Sequence, residues 1–314
     1  MATISTVTGE VTPEDLGVTL FHEHLAMVSP GLELNWPQAF DRPAEVANAV
    51  ELLSRAAAVG VRTLVDLTTI DLGRDVTMQQ EIGERAEVRI IVCTGVHLRP
   101  SRFLLHAPDE RIVELFVDDI ERGIGGTSIR AGALKIASAE EVTEENERLL
   151  RLIARAHLAT GVPIITHSEA LTESGARQQE VLAEEGVDLT QVAVGHVGDT
   201  MDLDYLERLA ARGSFIGMDR FGLDVVLPVA ERIEVVAALC KRGREASVLL
   251  SHDAATSYDA LPRGLELPDH PLWKFTTIHE VVLPALRERG VSESQIETML
   301  VDNPRRLLTP IAPA

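Results

Sequence analysis

The chain has 314 residues, 45% of them hydrophobic and 25% charged, with a formal net charge of −20. That composition suits a soluble globular protein with a large core, and the acidic excess excludes nucleic acid and an anionic membrane surface as main partners. A bound cation can still reverse the field locally, so the charge does not exclude an anionic or electron-rich substrate.

The first expected element is Gly17-Val18-Thr19-Leu20-Phe21-His22-Glu23-His24, an apolar run ending in His-x-His. Residues two apart on a strand share a face, so His22 and His24 project together from its C-terminal end. A long loop from Met27 to Asp41 follows, then a helical pattern from Pro43 to Val59 that Gly60 stops. Arg62–Thr68 reads as a second strand, Arg74–Ala86 as helix and Val88–Gly95 as a third strand that exits through His97. Cys93 lies in that strand and Cys240 in a later helix; as the only cysteines they read as packing residues, not a disulfide framework.

Helix is expected at Asp109–Glu121 and a fourth strand at Gly132–Ala137. Thr143 opens a long helix to Thr160, and Val162–His167 is a fifth strand. Glu173–Glu185 is helical, Gln191–His196 a sixth strand, and Leu203–Arg212 helical. Ser214–Asp219 is a seventh strand, Pro228–Arg242 helical, and Ser247–Asp253 an eighth strand. A polar, proline-containing loop is expected from Thr256 to His270, and Asn303-Pro304 opens a last short helix.

Eight short apolar strands alternating with helices predict a (β/α)₈ TIM barrel over residues 1–314, read as a single domain. An open doubly wound sheet is the alternative, but no glycine-rich nucleotide or phosphate loop follows the first strand. No apolar stretch is long enough to span a bilayer, and Met1–Ser5 lacks the basic-then-apolar pattern of a signal peptide, so the expected location is cytoplasmic.

Chemistry-bearing residues stand at the strand ends: His22 and His24 on the first, Lys135 on the fourth, His167 on the fifth, His196 on the sixth and Asp253 on the eighth. In a barrel these ends converge at the C-terminal face. Each histidine alone could be a satisfied core residue, but together with the acid they point to a metal site, suited to zinc, manganese, iron, cobalt or nickel. The set is too large for one tetrahedral ion. Of the 29 basic Lys and Arg residues only Lys135, Lys241 and Lys274 are lysines, so a lysine inside an apolar strand stands out. Its ammonium has no lone pair for a metal, but a neutral lysine can react with carbon dioxide to give a carbamate, an anionic oxygen ligand. A structural salt bridge is the other reading of Lys135.

On these residues the chain resembles the phosphotriesterase-like lactonases of the amidohydrolase superfamily. The resemblance rests on the His22–His24 run, Lys135-Ile136-Ala137, Pro163–Ser168, Gly195-His196-Val197-Gly198-Asp199, Gly217–Asp224 and Ser251-His252-Asp253. It implies two divalent transition-metal ions, zinc foremost, one held by His22, His24 and Asp253 and the other by His167 and His196. A carboxylated Lys135 and a hydroxide would bridge them. The implied reaction is attack of that hydroxide on a lactone carbonyl, N-acyl-homoserine lactones or other γ/δ-lactones included, with organophosphate triesters as promiscuous substrates and Asp253 as ligand and proton shuttle.

The resemblance also places Arg220 near the substrate and Leu223 and Val226 on an apolar channel, and it implies a homodimer. His97 stands where many relatives carry a tyrosine, and the Thr256–His270 loop lacks a tryptophan often found there. The alternative function is a superfamily hydrolase of another carboxylic ester, amide or sugar lactone.

Overall fold

The computed structural model of the chain describes residues 2–258 and 270–313. Among these residues a small antiparallel hairpin, β1 (Ile4–Thr6) and β2 (Gly9–Val11), precedes the main sheet. The sheet contains β3 (Thr19–Met27), β4 (Thr63–Asp66), β5 (Arg89–Val96), β6 (Ala133–Ala137), β7 (Ile164–His167), β8 (Val192–Val194), β9 (Phe215–Met218), β10 (Val248–Leu250) and β11 (Ala255–Tyr258). All its pairings are parallel, and neighbours follow chain order from β3 to β10.

Closure comes from the last segment. β10 pairs with β9, while β11, four residues further along the same chain, pairs with β3 on its other side. Between them Asp253 N donates to His22 O at 3.1 Å and His24 N to Ala254 O at 2.8 Å, sewing the seam. The eight expected strands are β3 to β10, and the fold is a (β/α)₈ barrel with helices over its outer face. No helix among the described residues is long and apolar enough to cross a membrane.

Two apolar layers follow from the alternation of side chains along each strand. Phe21, Val65, Ile91, Ala133, Ile165, Ala193, Phe215 and Leu249 fill the barrel interior, and Ile4, Leu16, Leu307 and Leu308 belong to the same buried cluster. A larger cluster lies between the sheet and the helices, including Leu20, Leu53, Leu134, Leu150 and Val236. Cys93 packs in the inner layer and Cys240 in the outer one, both as free buried thiols, as expected for packing residues.

The structure corrects three expectations. The first strand does not end at His24 but runs to Met27, because β11 supplies it with a second partner from His24 onward. The expected Thr256–His270 loop begins as that strand; its residues 259–269 lie outside the described residues. Within the expected Met27–Asp41 loop the chain makes a helical turn at Leu32–Asn35.

One irregularity positions the site. The β3–β4 register shifts between Leu20 and Glu23. Leu20 and Leu25 both belong to the outer apolar layer although they are an odd number of residues apart, and Phe21 belongs to the inner one. A bulge of this kind resets the phase of the alternation. It lets Phe21 fill the barrel while His22 and His24 face the open end above it.

Candidate metal centre

At the C-terminal end of the strands, six of the predicted side chains meet. His22 Nε2 lies 3.4 Å from Asp253 Oδ1, and His24 Nε2 lies 3.3 Å from the same oxygen. His196 Nε2 is 3.7 Å from Asp253 Oδ2, and Arg220 Nε donates to Oδ2 at 3.0 Å. Lys135 Nζ is 3.0 Å from His22 Nε2 and donates to Thr166 O at 3.3 Å. Those are its polar partners among the described residues, so the salt-bridge reading of this fully buried lysine is not met.

The remaining two histidines continue the cluster. The His196 ring centroid is 4.7 Å from that of His22 and 4.3 Å from that of His167, and His167 is in turn 4.8 Å from His97. Leu223 and Val226 lie on the loop leaving β9, with Leu223 N bonded to Arg220 O and Val226 exposed.

The backbone bends to make this arrangement. His196 and Asp253 both adopt left-handed conformations, with φ of 64° and 53°. For non-glycine residues this is costly, and such strain gathers at functional sites. Two glycines make room beside Lys135 and His167. At Gly95 (φ 126°) a Cβ would fall 1.9 Å from the Lys135 carbonyl oxygen, and at Gly195 it would fall 2.2 Å from that of Thr166.

Several organising residues were not singled out from the sequence. Asp219, fully buried, takes His22 Nδ1 on Oδ2 at 2.7 Å and His196 Nδ1 on Oδ1 at 3.1 Å. Both histidines are thereby turned so that Nε2 faces the cluster. Thr68 Oγ1 holds His24 Nδ1 at 3.0 Å in the same sense. Asp219 was visible as an acid closing an apolar strand, the same signal that marks Asp253. Glu23, between the two histidines, accepts from Ser251 Oγ, His252 N, His252 Nδ1 and Ala254 N at 2.7–2.9 Å. Asp199 joins Arg220 at 2.7 Å to the buried Arg232 at 2.6 Å.

The electrostatics favour ligand-ready forms. Burial, reinforced by Lys135, lowers His22 to about 3, and burial with the neighbouring cations holds His167 well below its usual range. Both imidazoles are therefore neutral and have a lone pair to offer. Burial acts to raise Asp253, but His196, His22, His24 and Arg220 outweigh it and keep the carboxylate ionised. Burial lowers Lys135 to about 8 against the opposing pull of Asp253 and Asp219.

This donor set fits a metal. His22, His24 and Asp253 offer ligand atoms within 4.8 Å of one another, and His196 Nε2 is buried without a hydrogen-bond partner. His22, His196 and Asp219 form a second group at that spacing. Because Asp219 engages the Nδ1 atoms, its place is behind the histidines, orienting them.

A barrel with buried neutral histidines and an ionised aspartate gathered at its C-terminal face has the architecture of a metal-dependent hydrolase. The model of the phosphotriesterase family matches residues 2–308. A phosphotriesterase homology protein of Mycobacterium tuberculosis is 44% identical over 98% of both chains, and an aryldialkylphosphatase of Saccharolobus solfataricus is 38% identical over 95% of this chain and 97% of its own. A solved structure of the phosphotriesterase from Mycobacterium tuberculosis superposes with a TM-score of 0.93 at 43% identity, covering 98% of each chain. The chain belongs to the phosphotriesterase family and is a metal-dependent hydrolase.

Proposed function

We propose that the chain is a two-metal hydrolase that opens lactones, with organophosphate triesters as secondary substrates. The observation that carries this reading is the convergence of His22, His24, Lys135, His167, His196 and Asp253 on one end of the barrel, with His22 and His167 held neutral and Asp253 held ionised. When bound, divalent ions such as zinc supply an activated water and a Lewis acid for the oxygen that gains charge.

The protein's own groups do the rest. Lys135, buried and lowered to about 8, has a neutral fraction that could add to carbon dioxide; the new N–C bond and loss of a proton would leave a carbamate anion as an oxygen ligand beside His22. Asp253 takes a proton from the attacking water and delivers it to the departing ring alkoxide, so the lactone opens to a hydroxy acid. Arg220, bonded to Asp253 Oδ2 and Asp199, keeps the Asp253 carboxylate ionised and aimed.

Support for an apolar acyl group comes from the loops after the strands. Trp36, Ile70, Phe103, Leu171, Met201 and Val225, each on a different one of these loops, are all more than half exposed. Exposed apolar side chains around one mouth favour a ligand with an aliphatic portion, and Leu223 and Val226 lie on the same rim. The family resemblance also carries a homodimer, which sedimentation of the purified protein checks.

The test is metal content together with kcat/KM on γ- and δ-lactones of graded chain length beside one organophosphate triester. Two ions per chain and turnover that rises with acyl length are expected. Less than about one ion, with no lactone or triester hydrolysed, overturns the reading.

A further inference from the structure

We infer that Arg232 is a positioning residue that holds the loop after β9 in place and, through Asp199 and Arg220, aims the Asp253 carboxylate. The inference rests on the hydrolase reading above for what Asp253 does, but not for how the loop is held. Arg232 lies on the helix Val229–Lys241 and is fully buried. Its Nη1 is 2.6 Å from Asp199 Oδ1 and donates to Gly198 O at 2.8 Å, and its Nε donates to Leu227 O at 2.9 Å.

These contacts close a ring. Where the loop begins, the Arg220 carbonyl accepts from Leu223 N at 3.2 Å. The Arg220 side chain donates through Nη1 to Asp199 Oδ2 at 2.7 Å and through Nε to Asp253 Oδ2 at 3.0 Å. Asp199 turns its other oxygen to Arg232, and Arg232 holds Leu227, where the loop ends. Val225 and Val226, both exposed, lie between the two ties. Asp224 Oδ1 accepts from Val229 N at 2.9 Å, which joins the loop to the same helix without reaching Asp199. Asp199 is therefore the one carboxylate shared by the rim of the mouth and by the guanidinium on Asp253.

Packing does not account for Arg232. A buried guanidinium is costly unless its donors are met, and Arg232 Nη2 has no hydrogen-bond partner among the described residues. An apolar side chain of similar volume would fill the space at less cost. What it would lack is the planar fork that faces a carboxylate after β8 and a carbonyl after β9 at the same time. Without Arg232, Asp199 has only Arg220 as its cation and draws that guanidinium away from Asp253. A lysine carries the same charge on a single nitrogen, so it can neutralise Asp199 but cannot span to Leu227 as well.

Arg232→Met and Arg232→Lys test this in the zinc-loaded protein, by amide hydrogen exchange and by kcat and KM on lactones of short and long acyl chain. In both variants the amides of residues 223–227 should exchange about 10-fold faster or more, while those of 235–241 on the helix keep wild-type rates. The kcat should fall about 10- to 100-fold in Arg232→Met and return close to the wild-type value in Arg232→Lys, where the charge on Asp199 is met. The preference for the long acyl chain, read as a ratio of kcat/KM values, should fall about 10-fold in both. Wild-type exchange in the loop overturns the inference. So does a loop and helix loosened together with kcat per folded chain unchanged, the result of a merely structural role. If Arg232→Met does not fold, Arg232→Lys decides, since a loop as protected and a chain preference as strong as in the wild type overturn the inference. A wild type that hydrolyses no lactone or triester overturns the proposed function, and the exchange rates alone then judge Arg232.

Discussion

At Asp253 one side chain serves both halves of the centre: Oδ1 faces His22 and His24, and Oδ2 faces His196 and Arg220. A carboxylate so placed can hold an ion and move a proton, and an amide of the same shape can do neither well. Asp253→Asn should therefore keep the fold and lose about 10²–10⁴-fold in kcat, the usual worth of a positioned acid–base group. Steady-state kinetics beside circular dichroism checks this, and wild-type turnover in the variant would remove the shuttle role. The histidines, Lys135 and Asp253 were legible in the sequence because each lies in or just after an apolar strand run and each belongs to a residue type that is costly to bury bare. Asp219 carried the same strand-closing signal as Asp253 but not its role, and Glu23 carried none, since it is one among 49 acidic residues and only its partners across the barrel show what it does.

Among the elements, the central barrel strands were the readable part. Their apolar runs, bounded by glycine-ended helices, carry the pattern within their own residues, and the helix Asp109–Glu121 falls where periodicity puts it. The hairpin β1–β2 has only three residues per strand, too few to show a period. β11 is polar and partly exposed, and it is a strand because β3 offers it an edge, a property of the partner and not of its own sequence. The bulge in β3 is hidden for the same reason. What holds this seam is Glu23, whose two oxygens collect four donors from Ser251 to Ala254, the segment containing the strained Asp253. Glu23→Gln keeps the shape but turns an NH₂ group toward N–H and O–H donors. The expected cost is about 3 kcal/mol of stability, with kcat reduced more than KM is raised. Urea unfolding and kinetics on the variant measure both, and a loss below about 0.5 kcal/mol would show that Glu23 only fills space.

For the whole molecule, the buried centre and the acidic surface pull stability in opposite directions as pH changes. Without metal, His22 is lowered to about 3, while in the unfolded chain it titrates near its ordinary value of about 6.5. Between those values the unfolded state binds more protons, so stability falls as pH falls. At pH 5 the loss from His22 alone is about 2 kcal/mol, and His97 and His167, lowered chiefly by burial, add in the same direction. Asp253, also held low, contributes stability that is lost only as pH falls through its folded pKa, below this window. Against these stands the net charge of −20, whose repulsion eases as the pH drops. At physiological ionic strength surface charges are screened beyond about 8 Å, whereas the buried imidazoles are not, so the histidines dominate. The metal-free protein should therefore unfold at a lower urea concentration at pH 5 than at pH 7.5, by an amount worth at least about 2 kcal/mol. Saturating metal should steepen the dependence further, because protons compete directly with the ion for the same nitrogens. A urea midpoint that is flat or rises toward pH 5 would mean that the surface charge outweighs the centre.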